Sequence, residues 1–293
     1  MQLSTNGIVL EVEDHGPPTG EPLLLVMGLG MQLLGWHEGF VAQLVERGFR
    51  VIRFDNRDIG LSQTFDHLGV PNLGLLTLRH ALGMRVRSAY TLADMARDAV
   101  GVLDALGIAS AHVCGASMGG MIAQQMAHVA PGRIKSLTLM MTSSGARHLP
   151  GAPLKVRSAL IARPPSHALE ALVEHYVNLY ALIGSPAYPT EPASLRERFA
   201  VSIRRSYRPA GTARQMVAIV ADGDRSPMLA AITMPTAIIH GEADVLVPVD
   251  AGRDLKAKIP SASIDLIPGM GHDLPAALWP RFVAGIAQAA GRA

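Results

Sequence analysis

The stretch AHVCGASMGGMIAQ, residues 111–124, decides how this chain is read. An apolar run ends, Gly115, Ser117, Gly119 and Gly120 crowd together, and the pattern then turns helical. A strand must bend sharply into a helix here. Such a turn forces its central residue into a strained backbone conformation and lifts that side chain clear of the sheet. Small residues two before and two after it keep the neighbouring backbone from colliding. The helix that starts near Met118 directs unpaired N–H groups at the same spot. The pattern reads either as a tight turn alone or as a device that presents Ser117 for chemistry.

Working outward, short β-branched and aliphatic runs alternate with helical patterns. Residues 8–12, 23–27, 51–54, 112–114, 137–141, 236–240 and 263–267 read as strands. Several are continuously apolar, as expected of strands covered on both faces. Residues 36–47, 92–106, 118–129, 250–258 and 275–289 read as helices; the second follows Thr91 as N-cap and stops at Gly107. The alternation predicts a largely parallel sheet with helices on both faces. It breaks between about 143 and 234, where helices are expected at 169–182 and 192–205 and no strand. The expected division is a core of residues 1–142 and 234–293 with a helical cap, 143–233, inserted in it. A second insertion, 65–89, is expected to form a loop and a short helix.

Composition sets limits. The chain has 293 residues, 49% apolar and 17% charged, which suits a sizeable globular core. The net charge of +2 gives no general argument for nucleic-acid binding, although a pI of 8.9 permits weak surface attraction. Residues 147–214 carry ten Lys/Arg against four Asp/Glu. That surplus reads first as a solvated surface and, functionally, as a means of attracting acidic substrates. The single cysteine, Cys114, excludes an internal disulfide. The first sixteen residues lack a signal-peptide pattern, and no apolar run reaches the ~20 residues of a membrane span. A cytoplasmic location is the expectation, and a homodimer is compatible with the sequence.

A serine hydroxyl needs a base. Among eleven histidines, His272 has the best context, in a Pro-Gly-Met-Gly-His loop leaving the last expected strand. His112 and His240 sit in strands and read as structural. The histidine in turn needs an acid to fix its tautomer. Asp244 follows the strand at 236–240 and precedes His272, which gives the chain order Ser, Asp, His. Glu242 is a runner-up in the same loop; Asp222 and Asp224 do not directly follow a strand. Acyl chemistry also needs donors for a developing oxyanion. The backbone N–H of Met118 is one. The second is assigned to Leu29, in the Met27-Gly28-Leu29-Gly30 turn, where Gly28 permits close approach. Leu33, Leu34 and Trp36 after that turn, with Gly28, are expected to line an apolar substrate pocket. No metal is expected, since no Cys/His cluster has ligand spacing. No organic cofactor is expected either, since Gly28-x-Gly30 lacks the third glycine of a dinucleotide fingerprint.

With these residues in place, nearly the whole chain resembles the α/β-hydrolase fold superfamily, with a helical cap inserted after the strand at 137–141. The run Asp55-Asn56-Arg57-Asp58-Ile59-Gly60-Leu61-Ser62 is similar to the turn that follows the strand at 51–54 in that superfamily, and the resemblance implies that Arg57 and Asp58 organise the loop. VMGLG, DNRDIGLS and YTLADMARDAVGVLDALGI are most similar to the aclacinomycin methylesterase-like group. Many relatives carry His-Gly at the oxyanion turn where this chain has Met27-Gly28. The resemblance implies a serine carboxylesterase acting on a small-molecule ester of small to medium size. The same triad also serves lactone hydrolysis, carbon–carbon bond hydrolysis, perhydrolysis and acyl transfer. A non-catalytic ligand-binding protein is the alternative of a different class.

Overall fold

The computed structural model describes residues 1–74, 79 and 82–291. The strands are β1 (Gln2–Thr5), β2 (Ile8–His15), β3 (Glu21–Val26), β4 (Phe49–Phe54), β5 (Ala111–Ala116), β6 (Ile134–Met140), β7 (Thr236–Gly241) and β8 (Ala262–Ile267). They form one sheet in the order β1-β2-β4-β3-β5-β6-β7-β8. β2 runs antiparallel to both of its neighbours, and from β4 to β8 every pairing is parallel. The mostly parallel sheet expected from the alternation is thus present, with one strand more at its edge. β1 (QLST) has neither strict alternation nor an apolar run. Its pairing with β2, and Thr5 Oγ1 donating to the Asp98 carbonyl, define it only in three dimensions.

The apolar runs divide between two faces because side chains alternate along a strand. Leu24 and Val26 of β3, with Ile52 and Phe54 of β4, face α2 (Leu92–Ala105) and α3 (Met118–Val129). Leu23, Leu25 and Val51 face the other way, onto Phe40 and Leu44 of α1 (Glu38–Glu46) and Phe282 and Ile286 of α10 (Trp279–Ala289). Full burial of each such side chain contributes about 1.5–3 kcal/mol. A capping box starts α2: Thr91 Oγ1 accepts from Asp94 N–H, and Asp94 accepts from Thr91 N–H. Two expected helices begin later than their periodicity indicates. α1 starts after His37, whose ring nitrogen accepts from Gly39 N–H, and α10 starts after a 3-10 turn at Ala276–Leu278.

Between β6 and β7 the described chain is helical: α4 (Leu154–Ile161), α5 (Leu169–Ile183), α6 (Pro192–Arg205), α7 (Pro209–Asp222) and α8 (Ser226–Leu229), with α9 (Asp250–Lys258) after β7. α5 and α6 share a small core of Val173, Val177, Leu195 and Phe199. Of the expected 65–89 insertion, the structure shows a 3-10 turn at Asp66–Leu68; residues 75–78, 80 and 81 lie outside the described part. No described helix is long and apolar enough to cross a membrane.

Candidate active site

Parallel register brings the candidate groups to one edge. Val26, the last residue of β3, pairs with Gly115, so the turn after β3 lies beside the turn after β5. β7 and β8 end at the same edge and release the loops that carry Asp244 and His272.

Ser117 has φ 54° and ψ −119°, a left-handed conformation rare for a residue with a side chain and costing about 1–3 kcal/mol. Its surroundings hold it there. Ser117 N–H donates to the Met140 carbonyl at 2.9 Å, and its carbonyl accepts from Gly120 N–H at 2.9 Å and Thr142 Oγ1 at 2.7 Å. The flanking glycines are required by contact: a Cβ on Gly115 would strike the Gly119 carbonyl, and one on Gly119 would strike the Val26 carbonyl. Gly28 packs on the elbow, where an added Cβ would lie 3.2 Å from Ser117 Cβ. The N–H groups of Leu29 and Met118 make no hydrogen bond among the described residues, which leaves both open to an acceptor.

His272 Nε2 lies 3.0 Å from Ser117 Oγ, and Nδ1 lies 2.7 Å from Asp244 Oδ2. Asp244 is buried, and its other oxygen accepts from the N–H groups of Leu246 at 2.9 Å and Val247 at 2.8 Å. That geometry assigns the Nδ1 proton to the Asp244 side and leaves Nε2 as acceptor for the Ser117 hydroxyl. The three side chains form one chain of hydrogen bonds that can move a proton from Ser117 to His272.

Among the other candidate groups, His240 lies beside the acid, with Nε2 3.7 Å from Asp244 Oδ2, whereas Asp222, Asp224, His112 and Cys114 lie elsewhere. Asp222 pairs with Arg225, and Asp224 accepts from Ser226 N–H. His112 meets Ser136 at 2.7 Å. His240 is buried with Nε2 2.8 Å from the Val247 carbonyl; desolvation holds its pKa below the usual histidine range. Cys114 is buried beside Met140, and burial pushes its thiol pKa up. Leu33 and Trp36 do not face open space. Both are fully buried, Trp36 stacks on Phe40, and its carbonyl accepts from Arg53. Their neighbours Leu34 and Gly35 line the cleft instead. Apolar character alone did not tell which side of the turn each residue faces.

Further residues buttress the site, some from the Asp55–Ser62 run and others, Gln215 and Ser185, with no motif of their own. Asn56 Nδ2 donates to the Met27 carbonyl at 2.9 Å, and Gln215 Oε1 accepts from Gly30 N–H at 3.0 Å, so both brace the turn after β3. Ser185 braces the histidine loop: its hydroxyl accepts from Gly271 N–H at 2.9 Å and donates to Asp273, while His272 N–H donates to the Ile183 carbonyl at 2.7 Å. Arg57 pairs with Asp98 at 2.6 Å and lies over Phe65 and Tyr90. Asp58 takes two hydrogen bonds from Arg214, at 2.7 and 2.8 Å, and one from Tyr90. Both organise the loop after β4.

Comparison with known proteins agrees with this architecture. A family model described as alpha/beta hydrolase fold matches residues 21–275. The chain is 28% identical to rhodomycin D methylesterase DauP of Streptomyces sp. (strain C5), over 94% of this chain and 93% of that protein. Its fold matches that of a meta-cleavage product hydrolase (CumD) of Pseudomonas fluorescens IP01 with a TM-score of 0.76 at 20% identity, covering 99% of this chain and 96% of that one. It likewise matches a thermophilic esterase of Thermogutta terrifontis with a TM-score of 0.72 at 24% identity, over 98% of this chain and 96% of that one. The chain belongs to the α/β-hydrolase fold family and is a hydrolase enzyme of the esterase kind.

Proposed function

We propose that this chain is a serine carboxylester hydrolase that cleaves small to medium esters through Ser117, His272 and Asp244. The observation that carries this reading is His272, held 3.0 Å from Ser117 Oγ and 2.7 Å from Asp244 Oδ2. The methylesterase named above, matched over nearly the full chain, supports an ester as substrate.

His272 Nε2 takes the hydroxyl proton as Ser117 Oγ attacks the ester carbonyl carbon. The carbonyl oxygen becomes an oxyanion facing the N–H groups of Met118 and Leu29. The bond to the alcohol oxygen breaks, and that oxygen takes the proton from Nε2. Water then gives a proton to Nε2 and attacks the acyl carbon; the acid departs and the proton returns to Oγ. Asp244 keeps Nδ1 protonated throughout and stabilises the imidazolium. Residues 143–233 act as a cap over this edge of the sheet, and the open space beside Met31, Leu34 and Gly35 receives the substrate.

The test is a panel of p-nitrophenyl esters of graded chain length, with lactones and a carbon–carbon hydrolase substrate alongside. Ser117→Ala should lose ester turnover on the order of 10⁴-fold or more. A fluorophosphonate should label the wild type at Ser117. Equal turnover in wild type and variant would overturn the assignment.

A further inference from the structure

A narrow cleft with room for about 60 Å³, open to solvent, runs from the oxyanion turn along α5 and α6. It begins at Gly30 and Met31, directly after Leu29. Three of the chain's five tyrosines line it, Tyr176, Tyr180 and Tyr207, with Phe199 stacked on Tyr176 at 5.5 Å. Two arginines line it, Arg198 and Arg208, and no Asp or Glu does.

Most arginines of the surrounding helices are engaged, and Arg204 of α6, unpaired among the described residues, is exposed and does not line the cleft. Arg205 pairs with Asp55, Arg214 with Asp58 and Asp66, Arg196 with Glu174, and Arg225 with Asp222. Arg208 is exposed and donates to Ser206 Oγ at 3.1 Å. Arg198 is half-buried and makes no hydrogen bond or ion pair among the described residues. The hydroxyls of Tyr176, Tyr207 and Ser202 likewise meet no protein acceptor there. Burial and Tyr207 push the Tyr176 pKa up to about 12, and burial raises that of Tyr207, so both phenols keep their protons and can donate. Arg198 acts only weakly on the Asp273 carboxyl, beside His272, which accepts from the Ser185 hydroxyl. The cleft therefore offers donors and positive charge with no carboxylate in its lining to match them.

A guanidinium partly removed from water without a counter-charge is unfavourable, and its planar fork suits a carboxylate. The aromatic wall suits an apolar body between two polar ends. Resting on the esterase reading, we propose that this cleft selects esters carrying a second, ionised carboxyl group remote from the scissile bond, and that Arg198 pairs with that carboxylate. The ester end lies at Ser117 and the oxyanion turn, and the acid end lies among Arg198, Tyr176 and Tyr207.

The experiment compares monomethyl esters of straight-chain diacids with the matched methyl ω-carboxamides, which have the same shape without the charge. The wild type should favour the carboxylate about tenfold in kcat/KM, mainly through KM. Arg198→Ala should bring that ratio to about one, Arg198→Lys should keep part of it, and Arg196→Ala, on the same helix outside the cleft, should keep all of it. Calorimetry of monomethyl glutarate on Ser117→Ala, and on Ser117→Ala with Arg198→Ala, reads the pairing without turnover; the second protein should bind about tenfold more weakly. A wild-type ratio at or below one, an unchanged ratio in Arg198→Ala, or equal binding by the two Ser117→Ala proteins overturns the proposal. Fluorophosphonate labelling with no preference for the acid leaves the esterase reading standing and this one refuted. Absence of both labelling and turnover refutes the esterase reading, while calorimetry still decides the fate of Arg198.

Discussion

Replacing Asp244 by asparagine keeps the side chain's shape while removing its charge and turning one acceptor oxygen into a donor. Asp244 Oδ1 accepts from Leu246 N–H at 2.9 Å and from Val247 N–H at 2.8 Å. In the variant the amide oxygen must take that place, because an NH₂ group there would confront two donors. The NH₂ group is then left against His272 Nδ1, where the wild-type separation is 2.7 Å. Nδ1 becomes an acceptor, the ring proton moves to Nε2, and Nε2 faces Ser117 Oγ as a donor. The base is lost although no heavy atom has moved. In a serine protease, the tautomer error of this kind costs about 10⁴-fold in kcat. Four factors of ten at about 1.36 kcal/mol each raise the barrier by about 5.4 kcal/mol. Stability should hardly change, since both backbone donors stay paired, and the melting temperature should stay within about 2 °C of wild type. Asp244→Ala differs: it strands two N–H groups, at about 1–3 kcal/mol for each buried one. Steady-state hydrolysis of p-nitrophenyl acetate with a melting curve for each protein reads both quantities. An asparagine variant within tenfold of the wild-type rate would refute the proton assignment. A large rate loss accompanied by a large drop in melting temperature would refute the claim that only the tautomer changed.

Gly119→Ala should abolish ester turnover and lower the melting temperature, because its Cβ collides with the Val26 carbonyl, whereas Gly132→Ala, which meets nothing within 4 Å, should change neither. Arg214→Ala leaves the fully buried Asp58 without two of its hydrogen bonds and should cost about 3–5 kcal/mol in urea unfolding; a loss below about 1 kcal/mol would mean that the pair is not desolvated as the structure has it. His240 is buried with Nδ1 unpartnered, and desolvation holds its pKa below the ordinary histidine range. The folded state then binds this proton more weakly than the unfolded state does, so its contribution to stability is present above about pH 6.5 and is lost as pH falls toward the folded pKa. Melting temperatures from pH 8 to 5.5 should show that decline, and His240→Asn should flatten it; parallel curves would refute the assignment.

The sequence showed most of the scaffold because the scaffold is built locally. Continuous apolar runs such as LLLV mark strands covered on both faces, and the GASMG turn sits between one of them and a helix. Ser117, Asp244 and His272 could be picked out because each follows a strand, and parallel strands deliver their exits to one edge. What stayed hidden depends on contacts far apart in sequence. Gln215 reaches Gly30 across 185 residues, and Arg214 reaches Asp58 across 156. Neither residue has a local pattern to betray it. α7 was not expected because PAGTARQMVAIVAD opens with proline, glycine and threonine, and packing holds it: Gly211 lies so close to Asp58 that a Cβ would strike its carbonyl. Leu33 and Trp36 were placed in the pocket by apolarity, which does not distinguish core from cleft when both adjoin one turn.

The basic surplus of residues 147–214 had two readings, a solvated surface or a lure for acids, and the structure adds a third. Arg205 and Arg214 point inward. Arg205 reaches Asp55, whose other oxygen accepts from Leu33 N–H at 2.7 Å, and Arg214 reaches Asp58 in the same loop. At the far end of the helical segment, Ser185 and the Ile183 carbonyl hold the loop of His272. The proposed cap is thus fastened at both places where the chemistry would occur, the oxyanion turn and the histidine loop. Removing either cation alone, with its carboxylate still covered by the segment, costs about 3–5 kcal/mol. The arginines that fasten it are consumed in doing so, and the cleft-lining Arg198 is left with its charge unmatched by the protein.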